Sequence, residues 1–149
     1  MSKKPLHILL ADDDEGDRLL FTVAFSELKI KTVVKTVNNG TQLKDWLNKE
    51  DISLPYILFL DLNMPPNSGL ECLKEIKSNE KLKDIFIAIY STSDSEKDME
   101  DTFLNGANIY ITKPNDFNIL KKILTKAVST ASLYQDQSLK RENFLLRVY

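Results

Sequence analysis

Four carboxylates, a hydroxyl and an ammonium stand out by type and spacing: Asp12-Asp13-Asp14 in one run, Asp61, Ser91, and Lys113 ahead of Pro114. Two or three carboxylates held a few ångströms apart repel by roughly 3 kcal/mol per pair at an effective dielectric of 20, so they need compensation. A bound cation supplies it, and oxygen ligands with open positions suit Mg²⁺, which binds through one or two carboxylates plus phosphate oxygens. Lys113 adds a fixed positive charge and Ser91 a hydroxyl donor. Together these groups neutralise an incoming phosphoryl group, which is most of what phosphoryl transfer asks of a protein. Asp61 is then the expected nucleophile, its carboxylate attacking phosphorus to give an aspartyl phosphate. Taken singly, each residue has a plainer reading. Asp14 reads as a helix N-cap or a solvent-facing acid, Ser91 as a cap or turn residue, and Lys113 as a solvated charge. The argument therefore rests on their combination.

Such a combination needs elements that bring its members to one place. Apolar runs of strand length alternate with helical patterns along the chain, which predicts a parallel sheet with helices on both faces. The expected strands are Leu6 to Ala11, Thr32 to Val37, Tyr56 to Leu60, Ile85 to Tyr90 and Asn108 to Thr112. The third is nearly all apolar, as a central strand covered on both faces should be. Between them, helical spacing picks out Leu20, Val23 and Ala24 on a helix from about Glu15 to Leu28, then Leu43, Trp46 and Leu47, then Leu70, Leu73 and Ile76. Asn39-Gly40 is read as a strand-to-helix loop and the stretch around Pro65, Pro66 and Gly69 as a plain loop. Asp94 to Leu104 is mostly polar, with Met99, Phe103 and Leu104 as its candidates for burial, and is expected to be mobile. Leu120, Ile123, Leu124, Ala127 and Val128 mark the clearest amphipathic helix. Asp12, Asp61, Ser91 and Lys113 all fall at the carboxyl ends of strands, where open α/β sheets bind ligands. His7 lies at the other end of the sheet; it, Cys72 and Trp46 are read as packing or surface residues.

Composition excludes several alternatives. A chain of 149 residues with 42% hydrophobic and 28% charged residues suits one soluble globular domain. A net charge of −2 offers no surface for a polyanion, so direct DNA binding is not expected. No apolar run approaches the roughly 20 residues of a spanning helix, and MSKKP lacks the apolar stretch of a secretory signal, so the expected location is the cytoplasm. With one cysteine and one histidine, an internal disulfide and a Cys- or His-based metal cluster are excluded.

The segments ILLADDDEGDR, LFLDLNMPPNSG, YSTS and GANIYITKP jointly resemble the receiver domain of two-component response regulators, of the single-domain kind typified by the chemotaxis regulator CheY. The resemblance covers about Leu6 to Thr130 and implies a flavodoxin-like, doubly wound five-stranded parallel sheet. It implies that Asp61 is phosphorylated, that Asp12 and Asp13 hold Mg²⁺ (Mn²⁺ substituting) together with Asp61, and that Asn63 gives the metal its backbone carbonyl. Ser91 and Tyr110 stand at the family's switch hydroxyl and switch aromatic, and Lys113 at its lysine, with a cis bond to Pro114 expected. The DLNMP segment and the IKS of the third helix look most like phytochrome-associated regulators. Phosphorylation would draw Ser91 toward the phosphoryl group and turn Tyr110 inward, with the readout on the fourth helix, fifth strand and fifth helix. The implied partners are a sensor histidine kinase or histidine phosphotransfer protein, and a downstream protein target.

A receiver spanning residues 1–130 leaves a C-terminal extension, 131–149, in which Leu133, Leu139, Phe144, Leu145, Leu146 and Val148 are too apolar for a purely solvating tail. Contact with a second subunit or partner, packing back on the domain, and disorder remain open for it. Ser93 falls where family members tune self-dephosphorylation. Three rival readings fit these residues less well. A phosphatase of the haloacid dehalogenase type needs an acid two residues after its nucleophile, where this chain has Asn63. A flavin module needs a phosphate loop where this chain has Asp12-Asp13-Asp14. A receiver that works without phosphate, as a scaffold or dimerisation module, is the alternative, against which all the expected site residues stand.

Overall fold

The computed structural model describes residues 4–50 and 53–134, so the extension beyond Tyr134 lies outside the described residues. Five strands, β1 (Leu6–Ala11), β2 (Thr32–Val37), β3 (Ile57–Leu60), β6 (Phe86–Ser91) and β7 (Ile109–Thr112), form one sheet in the order β2-β1-β3-β6-β7. Every neighbouring pair is parallel, with Leu10 opposite Thr36 and Phe59, and Ile89 opposite Leu60 and Tyr110. Five helices cover the sheet: α1 (Glu15–Ser26), α2 (Gly40–Leu47), α3 (Gly69–Lys77), α4 (Glu96–Leu104) and α5 (Phe117–Tyr134).

Alternation along each strand divides the apolar side chains into two layers. Ile8, Leu10, Ile57, Phe59, Ala88, Tyr90, Ile109 and Ile111 face α1 and α5. Leu9, Ala11, Leu58, Leu60, Ile87, Ile89 and Tyr110 face α2, α3 and α4. β3 and β6 are buried throughout, which explains why their sequences are almost unbroken apolar runs. Side-chain caps start four helices: Asp14, Asn39, Ser68 and Ser95 accept from the N–H groups of Asp17, Gln42, Glu71 and Asp98. Asn39 thus opens α2, as a strand-to-helix loop requires.

The structure departs from the sequence reading in several places. On α1 the buried stripe is Phe21, Ala24 and Phe25, whereas Leu20 and Val23 are 51% and 37% exposed. Both stripes satisfy helical spacing, and the one that buries two aromatic rings removes more apolar area from water. On α4, Leu104 is exposed and Thr102 is buried, its hydroxyl satisfied by donating back to the Asp98 carbonyl at 2.8 Å. The loop after β3 holds a small antiparallel hairpin, β4 (Asn63–Met64) and β5 (Asn67–Ser68), around a cis Pro65–Pro66 bond. Leu120, Ile123, Leu124, Ala127 and Val128 are buried on α5 as expected, and the helix runs on through buried Ala131 to Tyr134, whose ring packs edge-on against Phe86. Cys72 is buried beneath α3, and Trp46 packs on α2 with Lys35 and Lys49 over its ring. His7 is exposed on β1, far along the strand from its carboxyl end. No described helix is long and apolar enough to cross a membrane.

Candidate functional site

The sheet ladder continues one residue past the strands and so fixes where the polar groups begin. Asp12 N–H donates to Val37, Asp61 N–H to Ala11, and Lys113 N–H to Ser91, at 2.8 to 3.1 Å. Asp12 and Asp61 are therefore held by backbone bonds at adjacent strand ends, and Lys113 two strands further along the same edge, before their side chains make any contact. Carboxylate oxygens of Asp12, Asp13 and Asp61 then lie within 4.8 Å of one another, with Asp12 and Asp61 buried and Asp13 exposed.

Lys113 reaches into this group with a side chain only 9% exposed. Its Nζ lies 2.8 Å from Asp12 Oδ2, 2.8 Å from Asp17 Oδ2 and 3.2 Å from Asp61 Oδ2, and 5.3 Å from the centre of the Tyr90 ring. Burial opposes the ammonium charge, but Asp12, Asp17 and Asp61 outweigh it and hold Lys113 above the ordinary lysine range. Burial pushes Asp12 up to about 6, against the pull of Lys113 and of the Asp14 N–H on Oδ1, and with the nearby Asp61 charge adding to the rise. Asp12 Oδ2 is close to Lys113 in distance yet off the hydrogen-bonding direction, which leaves a buried carboxylate oxygen with no aligned donor. That buried oxygen, faced by the Lys113 ammonium and set beside two further carboxylates, completes a donor set that fits a hard divalent cation.

The loop after Asp61 is shaped by a close approach. A Cβ at Gly69 would stand 2.1 Å from the Asp61 carbonyl oxygen, so only glycine lets α3 start there. Gly69 N–H donates to the Leu62 carbonyl and Asn63 N–H to Asp61 Oδ1 at 3.2 Å, which turns the chain back over the carboxylate. On the far side, Ser91 is buried and its Oγ accepts the Ser93 N–H at 3.1 Å. Tyr110 is fully buried and inward, its hydroxyl donating to the Ser93 carbonyl at 2.8 Å.

A family model for the response regulator receiver domain matches residues 8–125. The chain belongs to this family. Curated relatives of the receiver include a probable methanogenesis regulatory protein, FilR2, of Methanothrix harundinacea, 32% identical over 124 residues covering 81% of this chain and 80% of the relative. The response regulator Rcp1 of Synechocystis is 30% identical over 127 residues, covering 83% of this chain and 86% of its own. The structure of its Mn²⁺-bound form superposes with a TM-score of 0.74 over 97% of this chain and all of that one, at 26% identity. The phosphorylated cyanobacterial phytochrome response regulator RcpA superposes with a TM-score of 0.76 at 30% identity, over 92% of this chain and 98% of that one. The resemblance to phytochrome-associated receivers thus holds in sequence and in fold, as does the flavodoxin-like sheet.

The receiver thus gathers Asp12, Asp13, Asp61 and Lys113 into one contact group, sets Asn63 on the loop beside it, and places Ser91 and Tyr110 on the strands alongside. One expectation fails: the Lys113–Pro114 bond is not cis, and the cis bond among the described residues is Pro65–Pro66. An X–Pro bond prefers trans by about 0.5–1 kcal/mol, and Lys113 reaches all three carboxylates from the trans chain. The sequence reading also missed three contributors. Asp17 pairs with Lys113, Arg18 Nη1 donates to the Asp12 carbonyl at 2.9 Å, and Gly69 admits the acceptor loop. An acid in a helix's first turn is ordinarily a partner of the helix dipole, so its type and position gave no sign of a contact across the sheet.

Proposed function

We propose that this receiver takes a phosphoryl group on Asp61 from a histidine kinase or histidine phosphotransfer protein and passes the signal on by protein contacts. The observation that carries the reading is the convergence of Asp12, Asp13 and Asp61 with a nearly buried Lys113 at the carboxyl edge of the sheet. Asp12, Asp13 and Asp61, with the Asn63 backbone carbonyl, would hold Mg²⁺ or Mn²⁺, which when bound neutralises the charge on a transferring phosphoryl group. Rcp1, a relative of similar sequence and fold, has a Mn²⁺-bound form.

An Asp61 carboxylate oxygen forms the new bond to phosphorus while the donor's bond to it breaks, the electron pair leaving with the donor. Lys113 keeps a positive charge beside the oxygens that become more negative, and no proton has to move onto it because it is already an ammonium. Asn63 N–H, which donates to Asp61 Oδ1, leaves the other oxygen to Lys113 and to the attack. The Ser91 Oγ accepts the Ser93 N–H and its hydroxyl also meets the Tyr110 side chain, so turning its proton toward a phosphoryl oxygen would exchange the Tyr110 contact for the new one. Tyr110 couples that position to the segment before α4 through the Ser93 carbonyl, so movement of Ser91 is felt where α4 begins.

The test is incubation with acetyl phosphate, with and without Mg²⁺, read by intact mass for the native chain and Asp61→Asn. A Mg²⁺-dependent gain of one phosphoryl group, absent from a folded Asp61→Asn, is the expected result. Stoichiometric labelling of Asp61→Asn would overturn the assignment. No labelling of the native chain, where another receiver is labelled, would favour a scaffold that works without phosphate.

A further inference from the structure

Lys113 has more carboxylates than a phosphoryl site needs. Asp12 and Asp61 both belong to the trio that fits a divalent cation, whereas Asp17 is not a member of it. A cation seated among Asp12, Asp13 and Asp61 would draw on two of the carboxylates that hold the ammonium and would repel it. Asp17 alone among the three partners keeps its oxygen for Lys113. Its position is set by the fold: it stands in the first turn of α1, its N–H held by Asp14 Oδ1 at 2.8 Å, with a side chain about one-third exposed at 35%. Complementing the helix dipole accounts for an acid at this position, but not for a 2.8 Å bond to a nearly buried ammonium 96 residues away.

We infer that Asp17 is a positioning residue that retains the Lys113 ammonium beside Asp61 when a divalent cation takes the Asp12 and Asp61 oxygens. The inference rests on the reading of Asp61 as acceptor and Lys113 as its cation. Two effects follow from removing the Asp17 charge. In the metal-free protein Lys113 settles on Asp12 and Asp61 alone, so Mg²⁺ has to displace a more firmly held ammonium. With Mg²⁺ bound, the ammonium has no anchor, and its geometry at the phosphoryl oxygens loosens.

The experiment measures Mg²⁺ affinity by calorimetry, and the labelling rate with acetyl phosphate at saturating Mg²⁺, on the full chain and on Asp17→Asn, Asp17→Glu, Lys113→Ala and the Asp17→Asn/Lys113→Ala pair. Asp17→Asn is expected to bind Mg²⁺ several-fold more weakly and to label about tenfold more slowly, with Asp17→Glu recovering most of both. In the Lys113→Ala background the same substitution should change neither by more than about twofold, because its route of action is gone. Native labelling rates in Asp17→Asn, or losses that multiply in the double variant, would overturn the inference. If the native chain takes no label, the Asp61 reading fails instead. The Mg²⁺ titrations then still decide whether Asp17 acts through Lys113.

Discussion

The two helices that flank the site, α1 and α4, are held in different ways. α1 sinks Phe21, Ala24 and Phe25 into the sheet, where Phe21 stacks edge-on with Phe59 at 4.9 Å and with Tyr90 at 5.6 Å. Its first turn sends Asp17 and Arg18 into the site. α4 buries only Thr102, with Met99 and Phe103 half-covered, and is tied at its start by polar contacts, the Ser95 cap and Ser93 Oγ on Asp98, while an exposed Lys97–Asp101 pair runs along the helix itself. One helix is anchored by apolar area, the other tethered by hydrogen bonds that water can replace. A receiver that must keep its acceptor geometry while changing a readout surface is served by that asymmetry. In this chain, then, a domain of a family that signals through phosphoaspartate sets its acidic cluster between a deeply packed helix and a shallowly packed one.

The largest expected effect breaks the anchored side. Phe59→Ala removes the ring that α1's aromatics pack around and should cost about 3–5 kcal/mol in urea denaturation. Phe103→Ala, on the half-covered face of α4, should cost less than half as much, and equal losses would refute the comparison.

Much of this contrast was legible in the sequence and part of it was not. β3 and β6 were readable because strands covered on both faces must be apolar throughout, and the acidic pair, Asp61, Ser91 and Lys113 were readable because strand ends are where such a sheet exposes polar groups. The poor apolar pattern of Asp94 to Leu104 likewise matched the shallow seating of α4. The buried stripe of α1 was not readable, since Leu20, Val23 and Ala24 share helical spacing with Phe21, Ala24 and Phe25. Only the neighbouring rings of Phe59 and Tyr90 decide between them. Asp17 was hidden for a similar reason, because its partner is fixed by the pairing of distant strands rather than by local spacing. The hairpin β4–β5 is two residues per strand, too short to leave a period.

A second, intermediate effect sharpens the α1 side through pH. Asp12 lies at about 6 in the folded protein against 3.8 for the free side chain, because burial disfavours its charge. A folded value raised in this way contributes stability below about pH 4, and that contribution is lost as pH rises through 6. Mg²⁺ binds the ionised carboxylates and offsets the cost only where Asp12 has lost its proton. The gain in melting temperature on adding Mg²⁺ should therefore be larger at pH 7.5 than at pH 5. An equal gain at both would mean that Asp12 ionises without cost in the folded chain, and that its burial does not govern metal entry.

The smallest effect isolates the tether of α4. Ser93 links through its backbone, with its N–H to Ser91 Oγ and its carbonyl to the Tyr110 hydroxyl, and through its hydroxyl, which bonds Asp98 Oδ2 and Ser95 Oγ and accepts the Ser95 N–H. Ser93→Ala keeps both backbone links and deletes the hydroxyl's contacts with Asp98 and Ser95, so it loosens the start of α4 while the bonds to Ser91 and Tyr110 remain. The bond to Asp98 is partly buried and those to Ser95 are exposed, so the loss should be dominated by the first, at about 0.5–1.5 kcal/mol. That is too little to unfold the domain, but enough to raise local opening. Hydrogen exchange should accelerate in the amides of α4 and stay unchanged in those of α1. Equal acceleration in both helices would show that they open as one unit, and the division into an anchored and a tethered side would then be wrong. Acceleration in α4 alone would identify the Ser93 hydroxyl as a contact that holds the start of α4 independently of the packing that holds α1.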